Sequence, residues 1–355
     1  MPMYHFSMSK IFKLLIVISL IVGVSYLTYK VINSSPNNIL GISTSQANQS
    51  WLDKITRYFR KQTQPAQSGK TTTDTTSTST PSQVPGAQNP GTGIPFGPFH
   101  LPSSNYGSTT YPFTGAMYEV GKVGSTTELK ATLDSAKAGK VKLLVHLTGG
   151  RRGFQKSDGA FDLAAFKSKL DLYKSFDFSA YSDVIIGHLM LDEPQDPNNW
   201  NGKAVPFADI EAAAAYSESL WPTMPTAIGS NPTFLKGAGT DYWKNLDFTV
   251  TPYAAKKGDV TKWKDTQVAD AKILGLGLML SINVLDGGSS KKQGESVSAT
   301  QLTSWATTLA SDPYVCGLTL WKWDPKYFSS ADMKATTDAV LNITNVKAAT
   351  SCKKH

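Results

Sequence analysis

Residues 94–355 predict a closed (β/α)₈ barrel. Eight short apolar runs recur along them, helical patterns separate most of the runs, and about 260 residues is the length such a barrel takes. Runs this apolar, joined by helical crossovers, imply a parallel sheet covered on both faces. They are PFGPFHL (95–101), FTGAMYEV (113–120), VKLLVHL (141–147), VIIGHLML (184–191), PTAIGS (225–230), DFTVTPY (247–253), LGLMLSINV (276–284) and VCGLTLWKW (315–323). The first two are joined by 102–112, whose prolines and serines predict a loop. If that leaves only seven strands, an open sheet competes with the barrel. Helical patterns fill 126–138, 161–175, 208–221, 233–245, 259–274 and 299–310, and a last one, 330–341, follows the eighth run.

The N-terminal third reads differently. Residues 11–32 form an apolar stretch with Lys13 and Lys30 near its ends, long enough at 1.5 Å per residue to cross a bilayer. This predicts a single-pass membrane anchor over residues 1–33. A cleaved signal peptide, and hence secretion, is the alternative, although no clean small-x-small site follows. Lysines and arginines are more numerous after the span than before it, which opposes export of the C-terminal part. A short basic head before an apolar anchor, and the sugar-enzyme features below, favour export. Residues 34–93 are a juxtamembrane segment and linker. Within them 50–62 place Trp51, Ile55, Tyr58 and Phe59 at helical spacing among basic residues, which reads as an interfacial helix or a solvated charge run. Residues 63–93 are Thr, Ser, Pro, Gln and Gly with almost nothing to bury, a disordered tether.

Charge and composition exclude several classes. The chain of 355 residues carries a formal net charge of +8. Residues 1–93 hold 8 Lys and Arg against 2 Asp, and 94–355 hold 27 against 25 acidic residues. The basicity thus belongs to the N-terminal segment, and nucleic-acid binding loses its support. Two cysteines cannot carry a zinc ribbon or an iron–sulfur cluster. No HExxH, Walker A, dinucleotide glycine fingerprint or Gly-x-Ser-x-Gly is present, so no cofactor or metal is expected.

A parallel barrel keeps its chemistry at the C-terminal ends of its strands. Those ends hold His100, Glu119, Arg151 and Arg152, Asp192-Glu193-Pro194, Asn231, Tyr253, Asn283, Asp286 and Trp321. Any one of them also fits a plain loop residue or a helix cap. The fourth run stands apart, because IIGHLMLDEP (185–194) discharges a buried strand into two carboxylates and a strand-ending proline. Alternation puts Asp192 and Glu193 on opposite sides of the strand. Glu193 is expected at the mouth as a general acid, its pKa raised by desolvation. The competing reading is a loop ion pair with Arg151 or Arg152. Of the tryptophans, Trp200 and Trp321 are expected at the site and most others in the core. His146 and His188 fall inside strands and read as hydrogen-bonded fillers.

The Asp-Glu-Pro ending of the fourth strand resembles the Asn-Glu-Pro of the large clan of retaining (β/α)₈ glycoside hydrolases. In that clan the glutamate is the acid/base and a tryptophan commonly closes strand eight. Glu193 and Trp321 match. The resemblance implies cleavage of glycosidic bonds in a poly- or oligosaccharide. NWNGKAVPF (199–207) and NVLDGG (283–288) are also similar to segments of uncharacterised secreted bacterial barrel proteins, which implies no activity. Two departures matter. Asp192 stands where the clan has an asparagine contacting a sugar hydroxyl. Strand seven ends without the nucleophilic glutamate, leaving Asp286 as the substitute and Glu295 as a second candidate. A carboxyl separation near 5 Å would permit retention, and about 6.5–9.5 Å inversion. Asp286-Gly287-Gly288 reads equally as a turn.

The sequence therefore predicts an exported, membrane-tethered, monomeric barrel with Glu193 and Asp286 as catalytic carboxylates. Asp192, His100, Glu119, Arg151, Trp200, Tyr253, Asn283 and Trp321 would contact the saccharide. A non-catalytic glycan-binding barrel, or a surface scaffold or adhesin, is the alternative. Cys316 starts strand eight at the barrel bottom, and the last helix returns the chain to that face. A Cys316–Cys352 disulfide is therefore expected, and it would suit an oxidising compartment.

Overall fold

A computed structural model of the chain describes residues 93–353. The anchor at 11–32, the segment 50–62 and nearly all of the tether lie outside the described residues. No helix among the described residues is long and apolar enough to cross a membrane.

All eight expected strands form: β1 (Phe96–Pro98), β2 (Gly115–Glu119), β3 (Lys142–His146), β4 (Ile185–Asp192), β5 (Thr226–Gly229), β6 (Phe248–Tyr253), β7 (Gly277–Asn283) and β8 (Val315–Trp321). Every pairing is parallel, in the order β1-β8-β7-β6-β5-β4-β3-β2. The ring closes between β1 and β2. Phe99 bridges Met117 there, the His100 N–H donates to the Met117 carbonyl at 2.9 Å, and the Thr114 N–H donates to the Phe96 carbonyl at 3.0 Å. Glycines let the two strands approach. A Cβ at Gly97 would overlap the Gly115 carbonyl oxygen, and one at Gly115 would come to 2.9 Å from Pro95 Cβ. The link between β1 and β2 carries only the 3₁₀ turn Ser103–Asn105, in keeping with the loop expected there.

The α-helices among the described residues are α1 (Thr126–Gly139), α2 (Leu163–Asp171), α3 (Phe207–Leu220), α4 (Pro232–Leu235), α5 (Val260–Leu274), α6 (Ala299–Ala310), α7 (Pro325–Phe328) and α8 (Ala331–Val346). Side chains cap most of them. Ser125, Asp162, Asp259 and Ser298 accept backbone N–H groups at the starts of α1, α2, α5 and α6, and Ser298 with Gln301 forms a capping box. The helix expected over 233–245 is corrected. Only the single turn α4 forms, followed by the 3₁₀ turn Lys236–Ala238, because Gly237 and Gly239 interrupt the pattern and Gly239 sits at φ 109°.

Two apolar layers hold the barrel. The larger lies between sheet and helices and includes Phe96, Leu143, Leu191, Ile228 and Leu280. The smaller fills the interior with Phe99, Met117, Leu144, Leu189, Ala227, Phe248, Val250 and Met279, and Cys316 and Cys352 extend it to the bottom. The expected disulfide is present, with a Cα–Cα distance of 5.2 Å and a sequence separation of 36. The tail passes so close beneath β7 that a Cβ at Gly277 would overlap the Cys352 carbonyl oxygen.

Two consequences are testable by urea unfolding. Cys352→Ser is expected to lower the unfolding free energy by on the order of 3–4 kcal/mol through the freed loop. Gly97→Ala, which places a methyl group into the closing seam, is expected to lose about 1–3 kcal/mol or more. A midpoint unchanged from wild type in either variant would contradict the role given to that position.

Candidate active site

The upper end of the barrel interior opens into a cavity of about 280 Å³. Asp192, Glu193 and Gln195 contribute one wall, Tyr253, Lys256 and Lys257 another, and Ser281, Asn283 and Trp321 a third. The volume is at the lower end of ligand pockets, which run from about 300 to 1,000 Å³.

A bulge decides which carboxylate enters this space. Along the β4–β5 ladder Leu189 pairs with Ala227 and Leu191 with Ile228, so Met190 is an extra residue. Leu189 packs inside the barrel and Leu191 packs outside, against the helices. Strict alternation from Leu189 would have sent Leu191 and Glu193 inward. The inserted residue reverses the faces, so Asp192, paired with Gly229, ends the strand pointing in. Gly229 makes room for it, since a Cβ there would overlap Asp192 Oδ1.

The burial expected for Glu193 thus falls on Asp192. Asp192 is half-buried, with one side open to the cavity and the rest enclosed by protein. Its carboxyl is pushed up to about 7, chiefly by burial and then by the neighbouring Glu193, with Glu119 adding less and Arg151 and the Glu193 N–H working against the rise. Glu193 itself is exposed at the cavity edge in the left-handed region, φ 50°. Its position is held from three sides. Its N–H donates to the Gly229 carbonyl at 2.8 Å, its Oε2 accepts from Asn199 Nδ2 at 3.0 Å, and its carbonyl accepts from Trp200 Nε1 at 3.0 Å.

Trp200 is therefore corrected. It is 2% exposed, packed among Phe154 and Phe161, and offers no ring face to a saccharide. Its part is to position Glu193. Trp321 does line the cavity, half-buried at the end of β8 and edge-on to Phe99 and His100. The Trp321–Lys322 peptide is cis. Tyr253 also lines the cavity, although its hydroxyl is spent on the Gly258 carbonyl at 2.5 Å. Asn283 lines it as well, and its Oδ1 accepts the Asp286 N–H at 3.2 Å.

The structure does not bring Asp286 to the cavity. It is exposed on the loop after β7, where its carboxylate accepts the Gly294 N–H, and the turn reading describes it. Glu295 is exposed on the same loop and pairs with Lys292 at 3.7 Å. His100 and Glu119 face one another at 3.9 Å beside Trp321, outside the cavity lining. Burial lowers the His100 pKa, Glu119 opposes that effect, and Lys322 adds to it. Arg151 is exposed in the 3₁₀ turn Arg151–Phe154 and reaches Asp192 only through its charge. His146 bonds Thr148 at 3.1 Å and His188 bonds Ser217 at 2.8 Å, as fillers should. Burial holds His146 down to about 4. No group of three or more metal-binding side chains occurs among the described residues.

Sequence reasoning missed Gln195, Ser281, Lys256 and Lys257. Gln195 is the most telling, because its Oε1 is buried without a hydrogen-bond partner in the cavity wall. Its place directly after the Glu-Pro strand ending was the only signal available.

No protein-family model and no curated protein sequence matches the chain. Among solved structures, the chain is similar to an intracellular xylanase from Thermoanaerobacterium saccharolyticum, at 15% identity over 65% of this chain and 86% of that one, with a TM-score of 0.44. It is also similar to a β-mannanase of family GH113 from Alicyclobacillus acidocaldarius, at 13% identity over 71% and 97%, TM-score 0.44. A β-mannanase from the blue mussel Mytilus edulis gives 11% identity over 72% and 93%, TM-score 0.45. The barrel assignment itself rests on the hydrogen-bonded ring of this chain.

The raised carboxyl gives a pH prediction. Asp192 holds its proton up to about 7 when folded and releases it near 3.8 when unfolded. Between those values the folded state binds the extra proton, so stability falls as pH rises, and the penalty is complete above 7. Asp192→Asn removes it. The variant should gain about 2–4 kcal/mol over wild type at pH 8, discounted for the open side of the carboxyl, and almost nothing at pH 4. Equal urea midpoints at pH 8 would show that Asp192 is not desolvated.

Proposed function

We propose that this barrel cleaves glycosidic bonds, with the Asp192–Glu193 pair as its acid–base unit. One observation carries the reading: two adjacent carboxylates at the end of β4 share the cavity at the barrel mouth, and one of them exchanges its proton near neutrality. Protonated Asp192 donates to the glycosidic oxygen as the C–O bond breaks. Glu193 is the carboxylate that stabilises the developing positive charge on the sugar and takes the proton of the water that bonds to the anomeric carbon, and proton exchange with solvent then resets both groups. Trp321 offers ring surface to the sugar, and Gln195 lines the cavity beside the acidic pair. The substrate is a poly- or oligosaccharide.

A second reading, a barrel that binds glycans without cleaving them, is favoured by the third wall. The end of β7 supplies Ser281 and Asn283 there, and no carboxylate. We further propose that residues 11–32 tether a monomeric barrel outside the cytoplasm, with secretion after signal cleavage as the alternative. The disulfide suits such an oxidising compartment.

The test is a polysaccharide panel read by release of reducing ends. Against a substrate that is cleaved, Asp192→Asn and Glu193→Gln should each lower the rate by about 10²–10⁴. The wild-type rate should also show a limb near pH 7 that is absent in Asp192→Asn. Full activity in both variants would end the assignment, while retained binding with no cleavage by wild type would establish the second reading.

A further inference from the structure

The cavity has a wall that cleavage at the Asp192–Glu193 pair does not use. Lys256 and Lys257 lie in the 3₁₀ turn Ala255–Lys257 that follows β6, and both line the cavity. Both are exposed, and no ion pair within the described residues engages either one. The acid nearest in sequence, Asp259, is occupied in capping α5, where it accepts the Lys262 N–H at 2.8 Å. The cation that acts on Asp192 is Arg151, from the other side of the mouth's acidic wall.

The turn that carries them is braced. The Ala255 N–H donates to the Gly287 carbonyl at 2.8 Å, the Lys257 N–H to the Ala254 carbonyl at 2.8 Å, and the Tyr253 hydroxyl to the Gly258 carbonyl at 2.5 Å. Two adjacent like charges are thus held at a ligand cavity with no ion pair engaging either among the described residues. Such a pair concentrates anions, and neighbouring like charges are relieved when one binds. The acidic β4 wall repels an anion, so a ligand bearing one must turn it toward β6.

We infer that Lys256 and Lys257 form a subsite for an anionic group on the saccharide, a ring carboxylate or a sulfate ester, which makes the ligand an acidic glycan. The inference rests on the saccharide reading above and adds the substrate class. It also orients the chain in the cavity: the charged sugar lies against β6 while the neighbouring linkage reaches Asp192 and Glu193. Lysine suits this task as a compact point charge that does not demand planar pairing.

The experiment uses the full-length protein in detergent micelles and measures equilibrium binding of trigalacturonate, a sulfated galactotriose and neutral galactotriose. At low salt an anionic trisaccharide is expected to bind about tenfold tighter than the neutral one, with the preference fading as salt rises. Whichever anion binds tighter names the group. In the double variant Lys256→Ala/Lys257→Ala the preference should collapse toward unity, and Lys256→Arg/Lys257→Arg should keep most of it. Equal binding of neutral and anionic trisaccharides by wild type, or a preference that survives the double alanine variant, would overturn the inference. Hydrolysis is scored separately. If no saccharide is cleaved, cleavage fails while the binding ratios still decide the subsite.

Discussion

Closure of the parallel ring between β1 and β2 is the constraint on which the rest of this structure depends. A parallel sheet left open would present two unpaired edges and spread its strand ends along a line. Here the Phe99–Met117 bridge and the paired glycines Gly97 and Gly115 join the edges, so eight strand ends converge on one mouth. The interior layer of Phe99, Met117, Leu189, Phe248 and Met279 exists only because the ring is shut. Stabilising and chemical devices then separate by face. The disulfide and the tail beneath Gly277 secure the bottom, and Asp192, Glu193 and Glu119 lie at the top.

At the mouth, a single inserted residue does most to define the chemistry. The bulge at Met190 exchanges the faces of Asp192 and Glu193. It buries the shorter side chain and leaves the longer one at the cavity edge, on a backbone held at φ 50°. The arrangement has a structural cost, since desolvating Asp192 opposes folding at neutral pH. Gly229 and Trp200 serve the same arrangement, one by leaving space for the Asp192 carboxyl and the other by anchoring the Glu193 carbonyl. Together they fix the position of a carboxyl that keeps its proton up to about 7, as the proposed acid catalysis requires.

The walls of the cavity differ in charge. Acidic groups end β4, neutral amides and hydroxyls end β7, and two lysines follow β6. The saccharide proposed above would meet them with hydroxyls for Asn283, an apolar ring face for Trp321 and a glycosidic oxygen for the β4 pair.

Periodicity alone determined much of this protein. The eight apolar runs became eight strands, and most of the helical patterns became helices, because burial on both faces demands long apolar runs whatever their partners are. The strand ends pointed to Asp192, Glu193, Tyr253, Asn283 and Trp321, since chain direction fixes which end of each strand meets the mouth. The Cys316–Cys352 pairing followed from the same topology. Tertiary structure alone decided the rest. The bulge that turns Asp192 inward arises from register between β4 and β5, a relation between strands that no single run of residues records. Trp200 was buried by Phe154 and Phe161 from a different loop, and Asp286 was drawn into a turn by the Gly294 amide. In each case a neighbour distant in sequence or across a loop set the side chain's role, and local pattern carries no information about such neighbours.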